Sequence, residues 1–423
     1  MKVIRSTHHM RLAAIFAATA LLSLSLASAA GAAVPTGPSG LSFYAPSASK
    51  IKGGTHGDPI WVRSAQSALV LSNAASSTTI VYKSQSLAKK NIAVSGTIWV
   101  PKGTAPAGGW PVISWGHGTT GSADVCAPSR ADGSSVISGY TTYMLPDFNA
   151  WLAAGYAVEM SDYEGLGTPG VHPYLIGHSE GRGIIDIVKA AHKWNSAIST
   201  KWLASGHSQG GHAALFAAAD AGTWGAGTTY KGVAAFAPAN NLKTTVIFAT
   251  GAVTGPNSLS GLGALLLRST TLADSTLKMS DIMNPAALAL QGQIEQRCLG
   301  SDTGTGLGAT DSFGQFAPGN LMKGWDATSK SWPGQAKVTK ALNALDGAAI
   351  NPNLKISGPI AVFQGKADGT VPAFTTEGLV SKLRTLNGAG NVSFTEYDGV
   401  GHGDVVTAGE SDALAWINAR FGK

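Results

Sequence analysis

Two pentapeptides in the sequence fit the pattern Gly-x-Ser-x-Gly, namely Gly177–Gly181 (GHSEG) and Gly206–Gly210 (GHSQG). This pattern is typical of a tight turn between a β-strand and an α-helix that raises a serine hydroxyl above the edge of a sheet. The flanking glycines are needed because the strained turn leaves no space for side chains. The pattern therefore predicts a sheet with helices packed on it and a reactive serine at its edge.

Short apolar segments that end in glycine or turn residues alternate with helical segments along the chain. The predicted strands are Ile92–Val100, Pro111–Trp115, Tyr156–Met160, Trp202–Ser205, Val233–Ala237, Pro359–Phe363 and Asn391–Tyr397, and the predicted helices include Ile184–Trp194, His212–Ala221 and Thr375–Thr385. This alternation predicts an α/β fold whose mostly parallel sheet is covered by helices on both faces. Functional groups are then expected beyond the carboxyl ends of the strands.

The first 33 residues are predicted to lie outside the fold. Three basic residues precede an apolar run at Leu12–Ala27, and two small-residue cleavage sites follow at Ala27–Ala29 and Ala30–Ala32. These features are typical of a secretory signal peptide, with an uncleaved membrane anchor as the alternative. Residues 34–60, rich in Pro, Gly and Ser, are predicted to be an extended lead-in. We therefore expect a secreted protein that is monomeric and has no stable membrane anchor.

One long segment, 240–355, interrupts the alternation of strands and helices. It has no clear strand, and short apolar segments such as Leu262–Leu267 and Pro285–Leu290 recur among Gly, Ser and Thr. More than a hundred residues without a strand are too many for one connection. We therefore predict a mainly helical cap at 240–355, inserted into a catalytic α/β domain formed by 34–239 and 356–423.

Charge and cysteine content narrow the function further. Without residues 1–33, which hold three basic and no acidic residues, the net charge falls from +6 to +3. Such a weak excess does not indicate nucleic-acid binding.

Cys126 and Cys298 are spaced unlike metal ligands, so no metal site is expected. In an exported protein this lone pair predicts one disulfide, and two buried free thiols are the alternative.

A third glycine-rich motif matches a pattern found in proteins that bind a dinucleotide cofactor. Gly165–Gly170 (GLGTPG) follows a predicted strand and fits the dinucleotide fingerprint Gly-x-Gly-x-x-Gly. Pro169 and Pro173 oppose the helix that would hold the pyrophosphate at its N-terminus. Exported proteins also rarely meet soluble nicotinamide cofactors. We therefore expect no cofactor.

Neighbouring residues favour Ser208 over Ser179 as the nucleophile. The segment Trp202–Ser205 supplies a compact strand before Ser208. Small residues that let the next helix approach the sheet come after it: Gly210, Gly211, Ala213, Ala214, Ala217, Ala218 and Ala219. Around Ser179, Pro173 shortens any strand and Arg182 replaces a glycine. The Ser179 hydroxyl is therefore predicted to act as a cap or turn ligand at a helix start.

In the α/β-hydrolase fold the nucleophile comes first along the chain, followed by the acid and then by the histidine. This order indicates which histidine is the base. After Ser208 the sequence holds two histidines, His212 and His402. His212 lies on the helix that the turn itself begins, too close to serve. His402 lies in the glycine-rich loop Gly399–Gly403 after the last predicted strand, with a surface histidine as the alternative reading. We therefore predict that His402 is the general base.

The acid is expected between the serine and the histidine, at the end of a strand. Asp368 fits, because it lies in the turn that follows the predicted strand Pro359–Phe363. Asp398 and Glu396 adjoin the last strand and are the alternatives. Asp311, Asp326 and Asp346 belong to the predicted cap, away from any strand.

Two backbone N–H groups are expected to stabilise the oxyanion of an attacked ester. One belongs to Gln209, the residue after the nucleophile. The other is predicted in the loop His117–Gly121 (HGTTG), at Thr119, whose hydroxyl would add a donor. Thr120 is the alternative at this position, and the loop could also be a glycine turn without this role.

Taken together, these residues resemble the secretory lipase family of α/β-hydrolases, which includes lipase A-type enzymes. The resemblance covers most of the mature chain and rests on His117–Gly121, Cys126–Ser129, Asp162–Gly167, Gly177–Arg182, Gly206–Gly211 and the loops of Asp368 and His402. It implies a capped fold, cleavage of carboxylic esters including acylglycerols, and no cofactor. It also implies that Gly177–Arg182 is structural and that Cys126 pairs with a cysteine of the cap.

The predicted function is that of a secreted serine carboxylester hydrolase, a lipase or carboxylesterase, acting through an acyl-enzyme on Ser208. Its expected partner is an ester or lipid substrate, with transient contact between the cap and a lipid surface. A secreted serine peptidase or an acyltransferase would use the same residues. A non-enzymatic binding protein on this scaffold is the remaining alternative.

Overall fold

The computed structural model describes most of the chain after the predicted signal peptide. The described residues are 1, 33–134, 141–251, 258–299, 321–326, 328–329, 331–347 and 351–423. The apolar run of the predicted signal peptide and Asp311 lie outside the described residues. Within these ranges, no helix combines the length and the apolar character needed to span a membrane.

The strands of the described residues form a single mixed sheet. They are β1 Pro59–Ser64, β2 Ala74–Gln85, β3 Asn91–Pro101, β4 Trp110–Gly116, β5 Ala157–Ser161, β6 Ile198–His207, β7 Thr229–Phe236, β8 Ile360–Gly365 and β9 Val392–Tyr397. Their order across the sheet is β1-β2-β3-β5-β4-β6-β7-β8-β9. The pairs β1-β2, β2-β3 and β3-β5 are antiparallel. The pairs β5-β4, β4-β6, β6-β7, β7-β8 and β8-β9 are parallel. The carboxyl ends of β4 to β9 therefore meet at one edge.

Helices cover both faces of the sheet. The described α-helices are α1 Ala48–Ile51, α2 Leu145–Ala153, α3 Gly177–Trp194, α4 Gln209–Asp220, α5 Leu242–Gly251, α6 Ser258–Ala273, α7 Met279–Ile282, α8 Pro285–Ala289, α9 Ala336–Ala344, α10 Ala373–Asn387 and α11 Val405–Phe421. On one face, α3 and α4 bury residues such as Ile184 and Leu215 in the core. On the other face, α2 and α11 bury Trp151 and Ile417. The architecture confirms the predicted α/β-hydrolase fold.

Five elements outside the predicted cap were not predicted from the sequence. These are β1, β2, the short helix α1 and the two helices α2 and α11, of which α2 and α11 cover one face of the sheet. The first half of β2 is rich in Ser and Thr, so it lacks the apolar alternation that marks a half-buried strand. The predicted extended lead-in, 34–60, contains α1 and the start of β1, and Thr36 forms a bridge with Val62.

The segment predicted to be a cap lies between two strands that are neighbours in the sheet, β7 and β8. The described part of 240–355 contains helices α5 to α9 and no strand beyond isolated bridges. Its apolar side chains, including Leu265 and Ile282, pack into one cluster with Leu175 and Ile176 from the loop before α3. The helices thus share a core of their own that extends to the carboxyl edge of the sheet.

Candidate active site

Ser208 occupies a strained turn between β6 and α4. Its φ is +59°, a value that L-residues adopt only when their surroundings enforce it. A Cβ atom at Gly206 would lie 2.2 Å from the carbonyl oxygen of Gly210, and one at Gly210 would lie 1.8 Å from that of Gly116. Side chains at these positions would force β4, β6 and α4 apart. The glycines of this pentapeptide are therefore required by close backbone contacts.

The carboxyl edge of the sheet brings three of the predicted site residues together. Ser208 follows β6, Asp368 follows β8 and His402 follows β9. His402 Nε2 lies 2.9 Å from Ser208 Oγ, and His402 Nδ1 lies 2.7 Å from Asp368 Oδ2. The imidazole thus lies between the Ser208 hydroxyl, 194 residues away in sequence, and the Asp368 carboxylate, 34 residues away.

Asp368 is held by several donors besides His402. Its Oδ1 accepts hydrogen bonds from the backbone N–H groups of Thr370 and Val371, each at 2.8 Å, and Gln364 Nε2 donates to Oδ2 at 3.0 Å. Burial by itself raises the pKa of Asp368, but the bonds from His402, Val371 and Thr370 outweigh it and lower the pKa below its usual range. The carboxylate is therefore ionised and fixed in orientation.

The other carboxylates considered for the acid, and the other histidine that follows Ser208, lie away from this contact. The side chain of Asp398 is 89% exposed and forms a salt bridge with Lys366 at 2.9 Å. Glu396 belongs to β9 itself rather than to the loop after it. His212 lies inside α4, and its Nδ1 is 3.3 Å from Glu180 Oε2. The contact between His402 and a carboxylate is thus made by Asp368.

A second imidazole, which no sequence pattern indicated, lies next to that of His402. His207, the residue before Ser208, is fully buried, and burial together with the nearby His402 lowers its pKa to about 3. Its Nε2 is 2.8 Å from the carbonyl oxygen of His402, and its Nδ1 is 2.6 Å from Tyr143 Oη. Because a carbonyl only accepts, Nε2 carries the proton and the neutral ring accepts the Tyr143 hydroxyl at Nδ1.

The predicted oxyanion loop follows β4. Thr119 is buried, and its Oγ1 lies 2.7 Å from Tyr174 Oη, so the hydroxyl already has a protein partner. The carbonyl oxygen of Thr120 accepts a hydrogen bond from the N–H of Leu299 at 2.8 Å. Gln209, the other predicted donor, is the first residue of α4. The first N–H groups of a helix have no partner within the helix and are free to bind an anion.

Cys126 and Cys298 form the predicted disulfide. The bond connects the segment after the His117–Gly121 loop to the segment after helix α8, and an isolated bridge pairs Gly121 with Cys298 beside it. The two sulfurs are buried in a small cluster with Leu166. The disulfide thus fastens the loop that contains Thr119 to the region predicted to be a cap.

The second Gly-x-Ser-x-Gly pentapeptide does not form a strand-to-helix turn. Ser179 is the third residue of α3, whose N-cap is Ile176, and its Oγ donates to the Glu164 carboxylate instead of capping the helix. A Cβ atom at Gly177 would lie 2.1 Å from Phe216, so this glycine allows α3 to approach α4. The pentapeptide is therefore a helix–helix contact.

The third glycine motif, Gly165–Gly170, forms a loop of turns, and the next helix begins only at Gly177. A Cβ atom at Gly167 would lie 2.6 Å from that of Ala127, so this glycine serves a close contact between two loops. Across the described residues, no group of three or more His, Cys, Asp and Glu side chains is arranged to hold a metal ion.

Comparison with known proteins identifies the family. The model of the secretory lipase family matches residues 130–423, more than half of the chain. No curated protein is significantly similar in sequence. The closed-state structure of lipase A from Candida antarctica superposes with a TM-score of 0.68 at 20% identity, over 88% of this chain and 84% of that one. A rice cell wall degrading esterase from Xanthomonas oryzae gives a TM-score of 0.65 at 18% identity, over 87% and 98%.

These two likenesses are similarities of fold, whereas the family model matches the sequence itself. The chain therefore belongs to the secretory lipase family and is a hydrolase of the lipase or esterase type.

Proposed function

We propose that the protein is a secreted carboxylester hydrolase in which Ser208 is the nucleophile, His402 the general base and Asp368 the group that orients His402. The observation that carries this proposal is the pair of contacts of 2.9 Å and 2.7 Å on either side of the His402 ring. Because the Asp368 carboxylate accepts the proton at Nδ1, the lone pair of Nε2 faces the Ser208 hydroxyl.

The proposed reaction has two halves. Ser208 Oγ attacks the acyl carbon while its proton moves to His402 Nε2, and the carbonyl oxygen becomes an oxyanion. The N–H of Gln209 and one from Thr119 or Thr120 stabilise that charge. The bond to the leaving alcohol then breaks as His402 returns the proton to its oxygen. Water then attacks the acyl-enzyme as His402 takes up its proton. The bond between the acyl carbon and Ser208 Oγ breaks as His402 returns that proton to Ser208, and the carboxylic acid is released.

Substrate and location are inferred from the family and from the surroundings of the site. Membership in the secretory lipase family supports secretion and an ester or lipid substrate. The apolar cluster of the predicted cap includes Tyr174, whose hydroxyl contacts Thr119 in the oxyanion loop. We place the acyl chain against this cluster, because an acyl group must bury apolar surface next to the carbonyl that reacts. Contact of the cap with a lipid surface stays a prediction, as does a monomeric state.

Replacing Ser208 by Ala tests the proposal. The loss of the nucleophile should lower kcat for p-nitrophenyl esters by a factor on the order of 10⁶. The variant should also lose labelling by a fluorophosphonate probe, while its thermal unfolding stays that of a folded protein. Retained hydrolysis or labelling would refute the assignment of Ser208.

A comparison of substrates separates the related activities. With ester, peptide and ester-plus-alcohol mixtures offered to the same preparation, we expect hydrolysis of the ester to dominate. Preferred cleavage of the peptide, or transfer of the acyl group to the alcohol in place of water, would instead assign a peptidase or an acyltransferase. A series of esters of increasing acyl length would then define the lipid preference.

A further inference from the structure

The second pentapeptide contributes a buried carboxylate to the neighbourhood of the first. Glu180, the fourth residue of α3, has no solvent exposure. Its Oε1 accepts hydrogen bonds from Gln209 Nε2 at 2.6 Å and from the Leu175 N–H at 2.8 Å, and its Oε2 lies 3.3 Å from His212 Nδ1. A buried carboxylate is tolerated only with such partners. Two of them, Gln209 and His212, belong to the first turn of the helix that follows Ser208.

The side-chain amide of Gln209 has a second hydrogen-bond partner, His172. His172 Nδ1 lies 2.9 Å from the carbonyl oxygen of Glu164, so this nitrogen is the donor and Nε2 carries the lone pair. His172 Nε2 lies 2.9 Å from Gln209 Nε2 and accepts its second hydrogen. Burial lowers the pKa of His172, although Glu180 opposes this shift, so the ring stays neutral and remains an acceptor at neutral pH.

The position of Glu180 relative to Gln209 is fixed by helix packing. A Cβ atom at Gly177 would lie 2.1 Å from Phe216 in α4, and one at Gly181 would lie 2.8 Å from the N atom of Ala217. Glycine at both positions lets α3 pack directly against α4. Since the two helices are in backbone contact, the carboxylate has little freedom to move relative to Gln209.

We propose that Glu180 is a positioning residue that acts through the Gln209 side chain to aim the Gln209 N–H at the oxyanion, a role that rests on the function proposed above. The oxyanion must meet its donors within a narrow distance range of about 2.7–3.1 Å. Gln209 directly follows the strained residue Ser208, so a small rotation of Gln209 would move its N–H out of that range. The two contacts to its amide hold the residue against such a rotation.

The test removes the contact from both ends. Glu180→Gln weakens the bond to the Gln209 amide, and Gln209→Met removes that amide but keeps the backbone N–H. Each variant should lower kcat for a p-nitrophenyl ester by about tenfold, less than complete loss of an oxyanion donor, with KM unchanged. Each should also raise by the same factor the inhibition constant of a trifluoromethyl ketone, whose adduct with Ser208 carries an oxyanion. A purely structural role would not couple these two quantities.

The double variant shows whether Glu180 acts through Gln209. Residues that act through one contact are non-additive, so Glu180→Gln combined with Gln209→Met should be no slower than the slower single variant. Ser179→Ala, from the same pentapeptide, is the matched control and should leave kcat and the inhibition constant unchanged. If Glu180→Gln does not fold, Gln209→Met alone still removes the contact and is read in the same way.

Three outcomes overturn the inference: unchanged kcat in a folded Glu180→Gln or Gln209→Met variant, a fall in kcat without a matching rise in the inhibition constant, and additive losses in the double variant. None of these outcomes touches the proposed function, which Ser208→Ala tests separately. Conversely, retained hydrolysis in Ser208→Ala would refute the function before Glu180 is considered.

Discussion

The backbone carbonyl of His402 accepts a hydrogen bond from the imidazole of His207, the residue directly before Ser208, at 2.8 Å. The turn that contains the proposed nucleophile therefore also fixes the main chain of the loop that contains the proposed base. His207 performs this role as a neutral ring with its proton on Nε2, since its other nitrogen accepts the Tyr143 hydroxyl. The bond connects two parts of the site that are far apart in sequence.

This contact predicts a pH-dependent loss of stability. Burial depresses the pKa of His207 from 6.5 to about 3. The unfolded chain therefore takes up this proton first, so the stabilising contribution is complete above pH 6.5 and is lost as the pH falls toward 3. Between pH 7.5 and pH 5 this loss amounts to about 2 kcal/mol of unfolding free energy.

His207→Gln should remove that dependence, because glutamine keeps a donor near the position of Nε2 but does not titrate. Urea unfolding of both proteins at pH 7.5 and pH 5 measures the effect. The parent should lose about 2 kcal/mol more than the variant between the two pH values. Parallel pH profiles would contradict a buried neutral His207.

Asp368→Asn should reduce kcat by a factor on the order of 10³–10⁴ with little change in KM. The asparagine amide would donate to His402 Nδ1 and move the ring proton to Nε2, where the lone pair is needed. Steady-state kinetics on a p-nitrophenyl ester measure this effect. The matched control is Asp398→Asn, since Asp398 is exposed and pairs with Lys366. A large loss in the control but not in Asp368→Asn would reverse the choice of acid.

Ser179→Ala should lower stability and leave catalysis intact. The substitution removes one donor to the partly buried Glu164 carboxylate, which keeps a hydrogen bond from the N–H of Leu87. The loss of a hydrogen bond to a charged group of this kind costs about 1–3 kcal/mol. Thermal unfolding and ester hydrolysis, measured on one preparation, should show a lower Tm and unchanged kinetic constants. A loss of activity comparable to that of Ser208→Ala would show that the two serines had been assigned wrongly.

Removing the disulfide should destabilise the protein without altering the triad geometry. The cross-link between Cys126 and Cys298 spans 172 residues, and the chain-entropy model gives up to about 5 kcal/mol for a loop of that size. The double variant Cys126→Ala with Cys298→Ala should therefore unfold at a lower guanidinium concentration than the parent. A reductant should shift the midpoint of the parent toward that value and leave the variant unchanged. Equal midpoints in oxidised parent and variant would contradict a stabilising role.

The residues that meet at the candidate site could be singled out from the sequence because they lie where its signals are strongest. Gly210 and Gly211 are needed at close backbone contacts, and the same small residues distinguished Ser208 from Ser179 in the sequence. Asp368 and His402 could be placed because each comes directly after a predicted strand. Parallel strands bring such positions to one edge whatever their separation in sequence.

The supporting residues could not be predicted in the same way. Glu180 contacts Gln209 because α3 packs against α4, and His172 contacts it from the loop before α3. No local pattern in the sequence specifies which buried polar groups meet in this way. His207 illustrates the same limit, since its partners lie 64 and 195 residues away. The strand β2 was missed for a different reason. Its Ser- and Thr-rich first half is held in the sheet by pairing with β1 and β3 rather than marked by its own apolar residues.

The pairing of β7 with β8 has a consequence for how this scaffold can diversify. Their register aligns Ala235 with Val362, so the chain leaves the sheet and returns to it on adjacent strands. The entropic penalty of closing an excursion between such neighbouring points grows only with the logarithm of its length. Segment 240–355 could thus be exchanged, shortened or extended between related enzymes while β6 and β8, with β7 paired between them, hold Ser208 and Asp368 at a constant separation. Substrate range and chemistry can then evolve on separate parts of one polypeptide.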